Sequence, residues 1–332
     1  MKSTIKPLDL RRVRMTSLRQ KKHKVGKDHF ARTWKRGGTL NDFLNSLPQI
    51  LAGKDFREVV ERIAEAVRRK RMVLLGMGAH PIKVGLNPIL IDCMEQGVLK
   101  GIAVNGAGMI HDVEVAMVGH TSEEVEEELS RGTFGMVKET HETINRAIRK
   151  GVNGGLGIGQ SLGRKILKGN FPFKHLSLLA AAERLGIPMT VHVAIGTDIT
   201  HMGPSADGAA IGKGSLKDFH TFVSLVSKLE KGVFINLGSA VILPEVFLKA
   251  LSLARNLGYP AADLTTVNMD FIHHYRPHLN VVKRPTLKGG KGYQLIGHHE
   301  VMFPLLAAAV LDKLTPHPSP LPMGERDGVR GG

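Results

Sequence analysis

The chain has 332 residues, of which 42% are hydrophobic and 23% are charged, and it carries one cysteine and a formal net charge of +16. These values are typical of a globular protein, and the lone Cys93 excludes an intrachain disulfide. No run of about 18 uncharged apolar residues occurs, so the sequence predicts no membrane-spanning helix, and we expect a cytoplasmic protein.

The positive charge is concentrated near the N-terminus. Residues 1–37 hold 13 Lys and Arg against two Asp, a net charge of +11, which leaves +5 for the rest of the chain. We predict a basic N-terminal arm over 1–38, a single α/β domain over 39–314, and a disordered Pro- and Gly-rich tail over 315–332. The arm is either a solvated tail or a segment that binds RNA phosphates.

Helical and strand patterns alternate through the predicted domain. Apolar residues at helical spacing favour helices, and short apolar runs that end at glycine favour strands. The alternation predicts a Rossmann-like α/β fold, with a mostly parallel sheet and helices on both faces. The predicted elements are a helical stretch over 40–70, strand 71–76, helix 86–96, strand 101–104, helices 123–129, 138–150 and 175–185, strand 187–195, helix 218–229, strand 232–237, helix 244–257, strand 263–269 and helix 299–314.

A glycine-rich stretch over 151–163 interrupts this alternation. Its composition resembles a phosphate-binding loop, but no strand precedes it and no Gly-Lys-Ser/Thr follows. The sequence therefore favours a flexible connector over a ligand loop.

Small-residue turns follow four of the predicted strands. In an open parallel sheet, ligands bind beyond the carboxyl ends of the strands, where glycine lets a ligand approach the backbone. The strict G-x-G-x-x-G motif is absent, but four such turns together predict a nucleotide site. The predicted cofactor-binding residues in these turns are Gly76, Gly78, Asn105, Gly106, Ala107, Gly108, Asp198, Gly238, Ser239 and Ala240.

Histidines in the second half of the chain form another pattern. With several nearby carboxylates they leave open a metal-dependent hydrolase, although adjacent histidines rarely chelate one ion and no HExxH motif occurs. Single histidines that act as acids or bases are favoured, and no metal site is predicted. The residues concerned are His192, His201, His273, His274, His298 and His299, with Asp198, Asp207, Asp270 and Glu300.

Lys283 follows two valines. An apolar environment lowers the pKa of a lysine and lets it act as an amine nucleophile, whereas a lysine in a basic surface loop has no such role. The sequence alone favours the surface lysine.

Four motifs follow one another along the chain: Asn105-Gly106-Ala107-Gly108 with Asp112, the segment 187–198 that ends in Asp198, the turn 237–241, and the helix start 301–306. In their order and spacing these motifs resemble the deoxyhypusine synthase family over about residues 73–314. The resemblance implies a Rossmann-like fold, a homotetramer and NAD bound at subunit interfaces. It also implies that spermidine is oxidised and that its aminobutyl group passes through an imine on an enzyme lysine to a lysine of translation initiation factor 5A.

The resemblance also assigns roles to individual residues. It implies that Asp112 lines the cofactor site, that Lys283 is the nucleophile, and that His111, Asp198 and Asp270 orient the substrate or move protons. Ile110-His111 stands where the family has paired glutamates, residues 243–245 stand where it has a histidine, and Lys283 lacks the preceding Trp-Gly.

We expect an NAD-dependent aminoalkyl transferase that acts on a small amine or polyamine, with a protein or small-molecule acceptor. A non-catalytic nucleotide- or RNA-binding protein stays open as an alternative.

Overall fold

The computed structural model describes residues 5–315, so the start of the predicted arm, 1–4, and almost all of the predicted disordered tail, 316–332, lie outside the described residues. The chain divides into two compact units, Met1–Lys54 and Asp55–Gly332. None of the described helices is long and apolar enough to cross a membrane.

The first unit contains little regular structure. Three single turns of 3-10 helix occur at Leu10–Arg12, Leu18–Gln20 and Lys27–His29, and none of them contains a buried residue. Helix α1, Leu40–Ser46, begins at Thr39, whose hydroxyl accepts a hydrogen bond from the Asp42 N–H while the Asp42 carboxylate accepts one from the Thr39 N–H. This reciprocal capping explains why a helix begins there.

The second unit is built on a six-stranded sheet in which every paired strand is parallel to its neighbour. The strand order is β3-β2-β1-β4-β5-β6, the order of a doubly wound dinucleotide-binding fold. The predicted Rossmann-like α/β fold is therefore confirmed. The strands are β1 Val73–Met77, β2 Gly101–Asn105, β3 Met189–His192, β4 Val233–Leu237, β5 Thr265–Asp270 and β6 Lys291–Ile296.

Helices connect the strands, and several extend beyond the predicted bounds. The helix predicted at 218–229 begins ten residues earlier, because Asp207 accepts a hydrogen bond from the Ala210 N–H and caps it. The helices are α2 Leu51–Arg68, α3 His80–Lys83, α4 Asn87–Glu95, α5 Gly106–Val118, α6 Val125–Arg131, α7 Lys138–Asn153, α8 Ile158–Lys168, α9 Leu178–Leu185, α10 Gly208–Val226, α11 Ile242–Asn256, α12 Tyr275–Pro277 and α13 His299–Leu314, with a π-helical segment at His278–Lys283 and 3-10 turns at Lys174–Leu176, Ile199–His201 and Arg284–Thr286.

The glycine-rich stretch 151–163 is mostly helical, so its prediction as a flexible connector is wrong. It contains the end of α7, a short turn and the start of α8. A Cβ on Gly159 would lie 1.9 Å from the Met189 carbonyl oxygen, and one on Gly163 would lie 2.6 Å from the Leu179 oxygen. These glycines allow α8 to pack against β3 and α9, which periodicity of apolar residues does not reveal.

A core of aromatic and aliphatic side chains lies between the sheet and the helices α10 and α11. The Phe234 ring of β4 stacks on Phe247 of α11, with centroids 3.8 Å apart and an interplanar angle of 10°. Phe222 of α10 meets the Phe234 ring edge-on, 6.4 Å away. All three rings are almost completely buried, so this face of the sheet is fixed by packing and its carboxyl edge carries the polar side chains.

Candidate functional site

The strand order reverses between β1 and β4, and the turns after these two strands touch each other. The Gly78 N–H donates a hydrogen bond to the Leu237 carbonyl at 3.1 Å, and a Cβ on Gly78 would lie 2.3 Å from the Gly238 oxygen. Gly238 has a φ of +64°, a conformation that favours glycine. We call the region beyond these strand ends, residues 77–80 and 237–240, the switch-point crevice, because doubly wound folds bind ligands there.

Histidines and an aspartate gather on the β4–β6 side of the crevice. The Nε2 atom of His299 lies 3.8 Å from Asp270 Oδ1, and the Nε2 atom of His274 lies 3.9 Å from Asp270 Oδ2. The His80 ring, at the start of α3, is 5.2 Å from the His299 ring. We call His80, Asp270, His274 and His299 the histidine–aspartate cluster; its members follow the ends of β1, β5 and β6.

His299 is the buried centre of this cluster. It is 1% exposed, and neither ring nitrogen has a hydrogen-bond partner. A Cβ on Gly238 would lie 2.7 Å from its Cε1 atom, so the missing side chain of Gly238 makes room for this ring. Burial lowers the pKa of His299, and the nearby Asp270 carboxylate opposes that shift only in part. The ring is therefore neutral at pH 7 and has a nitrogen free to accept a proton.

The cluster is not arranged as a metal site. Within residues 5–315, no group of three or more His, Cys, Asp or Glu side chains lies close enough together to hold an ion. His192, another of the histidines considered for a metal, is buried at the end of β3 and hydrogen-bonded to Thr190 Oγ1 at 2.9 Å. Burial lowers the pKa of His192 to about 4, so it is a neutral core residue.

A single carboxylate occupies the β2–β3 side of the crevice. The Asp198 carboxylate packs directly on Gly106, the first residue of α5, where an added Cβ would lie 1.8 Å from Oδ2. Asp198 is 6% exposed and its Oδ2 atom has no hydrogen-bond partner, although His201 Nε2 lies 3.8 Å away. Burial raises the pKa of Asp198 to about 6. A glycine is therefore needed at position 106, because any side chain there would clash with the Asp198 carboxylate.

Two buried polar groups without partners therefore flank the switch point. His299 stands by β4 and β5, and Asp198 stands at the end of β2. Strands β2 and β5 are separated by three strand spacings, about 15 Å. A buried polar atom without a partner is costly, and a ligand that spans the crevice would satisfy both.

A ladder of amide side chains crosses three strands beneath the crevice. Asn236 Nδ2 donates to Asn268 Oδ1 at 2.6 Å and to the Ser239 carbonyl at 2.9 Å, and Asn268 Nδ2 donates to Gln294 Oε1 at 3.2 Å. The ladder fixes the turn that follows β4 to β5 and β6. Ser239 completes that turn, since its hydroxyl accepts the Leu243 N–H.

Two predicted cofactor residues have structural roles instead. Asp112 is completely buried, and its oxygens accept hydrogen bonds from Ser177 Oγ, the N–H groups of Leu178 and Leu179, and Asn87 Nδ2. It caps α9, so its assignment to the cofactor is corrected.

Gly76 is likewise corrected. It lies inside β1, and the space where its Cβ would be is taken by the Phe234 ring, 2.9 Å away.

The other predicted turn residues lie beside the crevice. Asn105 caps α5 by accepting the Gly108 N–H at 2.9 Å, and Ala107 and Ala240 are half-buried in the turns beside the crevice.

Two predicted catalytic residues make contacts elsewhere. His111 Nδ1 is hydrogen-bonded to Thr121 Oγ1 at 2.6 Å and lies 3.6 Å from Glu114 Oε2. Lys283 is exposed at the end of the π-helical segment, and its charge contributes to lowering the pKa of His278. The structure thus brings Asp270 together with the cluster histidines, while the contacts of His111 lead to the loop after α5.

Sequence reasoning did not name His80 as a site residue, and it named His299 only among the histidines considered for a metal site or for acid–base roles, not among the predicted catalytic residues. His299 begins α13 directly after β6, and β6 itself was not predicted. The available signal was a pair of apolar residues at alternate positions, Tyr293 and Leu295, shortly before the His298-His299 pair, a pattern typical of a strand end.

No model of a protein family matches the chain, and no curated protein is similar to it. Solved structures share its fold at low identity. AgrE, in a ternary complex with ornithine and NAD+, is 17% identical, with 80% of this chain and 34% of that chain covered and a TM-score of 0.50. A protein from Methanococcus maripaludis S2 assigned to the LOR/SDH group is 16% identical, with coverages of 88% and 75% and a TM-score of 0.50.

A protein from Entamoeba histolytica assigned as a deoxyhypusine synthase is also among the structural neighbours. It is 10% identical, with coverages of 85% and 96% and a TM-score of 0.49. The fold assignment rests on AgrE and the Methanococcus protein, and the chain spans about a third of the length of AgrE.

Proposed function

We propose that the chain is an NAD-dependent enzyme that oxidises a small amine at the switch-point crevice. The observation that carries this proposal is His299, a buried neutral imidazole with no hydrogen-bond partner, placed beside Asp270 at the point where the strand order reverses. Titratable groups with perturbed pKa values at such a position are typical of active sites. AgrE, which shares the fold, binds NAD+.

The side chains at the crevice fit a dinucleotide. The Oδ2 atom of Asp198 has no hydrogen-bond partner and would accept a hydrogen bond from a ribose hydroxyl, as acidic residues do in dinucleotide-binding folds. The N-terminus of α5, at Gly106–Gly108, and that of α11 both follow strand ends and favour negative charge. Asp198, Gly106, Gly78 and Gly238 would therefore hold the cofactor.

Bound NAD would accept a hydride from the carbon that carries the amine. The chain must then remove a proton from the amine nitrogen. His299 is suited to accept it because it is neutral at pH 7, and Asp270 at 3.8 Å stabilises the imidazolium that forms. His80, at the start of α3, has its ring centroid 5.2 Å from that of His299 and adds a second group that can relay the proton.

The deoxyhypusine-synthase-type reaction adds a transfer step. The neutral Lys283 amine would attack the imine carbon of the oxidised substrate and form a new C=N bond, and the original amine would be released with the two protons that the lysine nitrogen gives up. The substrate class, an aminoalkyl compound such as spermidine, comes from the sequence resemblance. The exposed position of Lys283 requires that the substrate reach it from the crevice, so this step needs its own test.

The test begins with NAD binding by the full chain, measured by calorimetry, followed by NADH formation with spermidine as the amine. Replacing the buried base, His299→Gln, is expected to lower kcat by about 100-fold or more and to leave the NAD affinity within about threefold. His298→Gln changes the neighbouring, exposed histidine and is the matched control. Absence of NAD binding at millimolar concentration contradicts the proposal, as does equal loss in the two variants.

The transfer step is tested in the same assay by mass spectrometry of the substrate-treated protein. Lys283→Ala is expected to abolish covalent aminoalkyl attachment while NADH formation continues, and Lys288→Ala, an exposed lysine of the same segment, is the control. Attachment that persists in Lys283→Ala removes Lys283 from the reaction and leaves the oxidation untouched.

A further inference from the structure

Helices α7 and α8 enclose a groove that is separate from the switch-point crevice. The groove has a volume of about 470 Å³, and its lining includes Lys150, Arg164, Lys165 and Lys168. We call it the α7–α8 groove. All of its lining residues lie within 147–169, so none of them belongs to a turn that follows a strand. Its volume is in the range of small-molecule pockets.

Most of the positive charge of the groove is not neutralised by nearby carboxylates. Arg164 Nε is paired with Glu183 Oε1 at 2.7 Å. Across residues 5–315, no carboxylate lies within ion-pairing distance of Lys150, Lys165 or Lys168, so the four cations and Glu183 leave a local charge of about +3. Cations that converge on one concavity repel each other and raise the local concentration of anions.

The position of the lysines in their helices explains only part of this arrangement. Lys150 is in the last turn of α7, and Lys165 and Lys168 are in the last turn of α8, where each cation is favoured by the helix dipole. The dipole does not require that the three side chains line one groove. That convergence follows from close helix packing, because a Cβ on Gly151 would lie 1.9 Å from Ser161 Oγ.

The floor of the groove is small and partly apolar. Ala147 and Leu156 supply the apolar surface, whereas the space beside Gly151 and Gly169 is taken by the Ser161 side chain and the Phe171 ring. A little apolar surface surrounded by cations matches a phosphorylated compound with a compact organic part. A nucleic-acid strand instead requires cations that follow a track, with aromatic side chains for stacking, and the lining contains no aromatic residue.

We propose that the α7–α8 groove is a second binding site, which takes a phosphorylated small molecule with two to three negative charges. The site is independent of the proposed NAD crevice. Occupancy by a phosphate ligand relieves the repulsion among the lysines and stabilises the folded chain.

The test uses sodium tripolyphosphate with the full chain, measured by calorimetry at low and at physiological salt. Binding is expected, and Lys165→Glu with Lys168→Glu is expected to weaken it by about 100-fold, roughly tenfold for each lysine that no longer binds the anion. Arg149→Glu reverses one charge on an exposed residue of α7 outside the lining, half the charge change of the double variant, and it is expected to change affinity less than threefold. Saturating NAD is expected to leave tripolyphosphate binding unchanged.

Four outcomes would overturn the proposal. The first is no binding of tripolyphosphate, and the second is equal weakening in the double variant and in Arg149→Glu. The third is binding of a 20-nucleotide RNA that depends on Lys165 and Lys168 but is not displaced by tripolyphosphate, which would assign the groove to nucleic acid. Competition by NAD for tripolyphosphate would place the anion in the crevice instead.

Discussion

Two aspartates, both expected at the cofactor from sequence, differ in how their oxygens are used. Asp112 is saturated by hydrogen bonds from the start of α9 and from Asn87, so it has no free acceptor for a ligand. Asp198 is equally hidden from solvent, yet its Oδ2 atom has no partner. A capping aspartate therefore differs from a candidate ligand-binding aspartate in whether all of its oxygens already accept hydrogen bonds within the protein. Residue type and sequence spacing do not reveal this difference.

Asp198 makes NAD affinity depend on pH in a defined direction. Burial raises the pKa of Asp198 to about 6, and only the ionised carboxylate accepts hydrogen bonds from two ribose hydroxyls with both oxygens. Because ionisation increases as the pH rises through 6, NAD is expected to bind more tightly at pH 7.5 than at pH 5. Calorimetric titration across this range measures the change.

Replacement of that carboxylate isolates its contribution. Asp198→Asn is expected to weaken NAD binding at pH 7.5 by about tenfold and to flatten the pH profile. Asp218→Asn is the control, because Asp218 is also a buried acid but binds the N–H groups of Gly159 and Val191 instead of facing the crevice. An unchanged profile in Asp198→Asn would exclude Asp198 as the ribose acceptor.

Helix α8 shows how glycines serve packing in this molecule. Its N-terminus lies against the edge strand β3, and Asp218 joins the two by accepting the N–H of Gly159 and the N–H of Val191, each at 2.9 Å. Gly159 and Gly163, which belong to the stretch that resembles a phosphate loop, are thus contact points between α8 and the backbones of β3 and α9. A helix that could not approach β3 this closely would leave that edge open to pairing with another chain.

Two alanine substitutions separate packing from helix propensity. Gly159→Ala is expected to lower the free energy of unfolding by about 1–3 kcal/mol, because the new Cβ would meet the Met189 oxygen at 1.9 Å. Gly212→Ala, on the open side of α10 with no atom within 4 Å, is expected to raise it by about 0.5–1 kcal/mol. Urea unfolding measures both. Equal effects of the two substitutions would contradict the packing role of Gly159.

The elements that sequence predicts well are those with one dominant signal. Strands β1, β2, β4 and β5 are short apolar runs between breakers, and all four were located within a few residues. Strand β6 was missed because its outer positions are polar and exposed, with a burial pattern that alternates only at Tyr293 and Leu295. The turns after the strands were also predicted, because glycines mark them in the sequence. The histidine–aspartate cluster was not predicted, because its residues 80, 270, 274 and 299 are far apart in the sequence and are brought together only by the strand order.

At the scale of the whole molecule, the sheet topology and the charge distribution assign the two proposed functions to different parts of the chain. Reversal of the strand order between β1 and β4 brings together polar groups from positions 78 to 299, so the proposed catalytic site belongs to the second unit alone. Most of the net positive charge, in contrast, lies in the N-terminal arm. Residues 1–37 carry +11 of the total of +16, and the 3-10 turns described there contain no buried residue. We predict that binding to RNA, if the chain binds it, resides in this arm.

Removal of residues 1–37 tests that division. The full chain is expected to bind a 20-nucleotide single-stranded RNA with an affinity that falls steeply with salt, and the truncated chain is expected to show a much smaller slope. NAD affinity is expected to stay within about twofold, because the crevice residues lie beyond Lys54. Fluorescence anisotropy between 50 and 300 mM salt measures the slope. A steep slope that survives truncation would move RNA binding to the second unit, and there Lys165→Glu with Lys168→Glu would show whether the α7–α8 groove is its source.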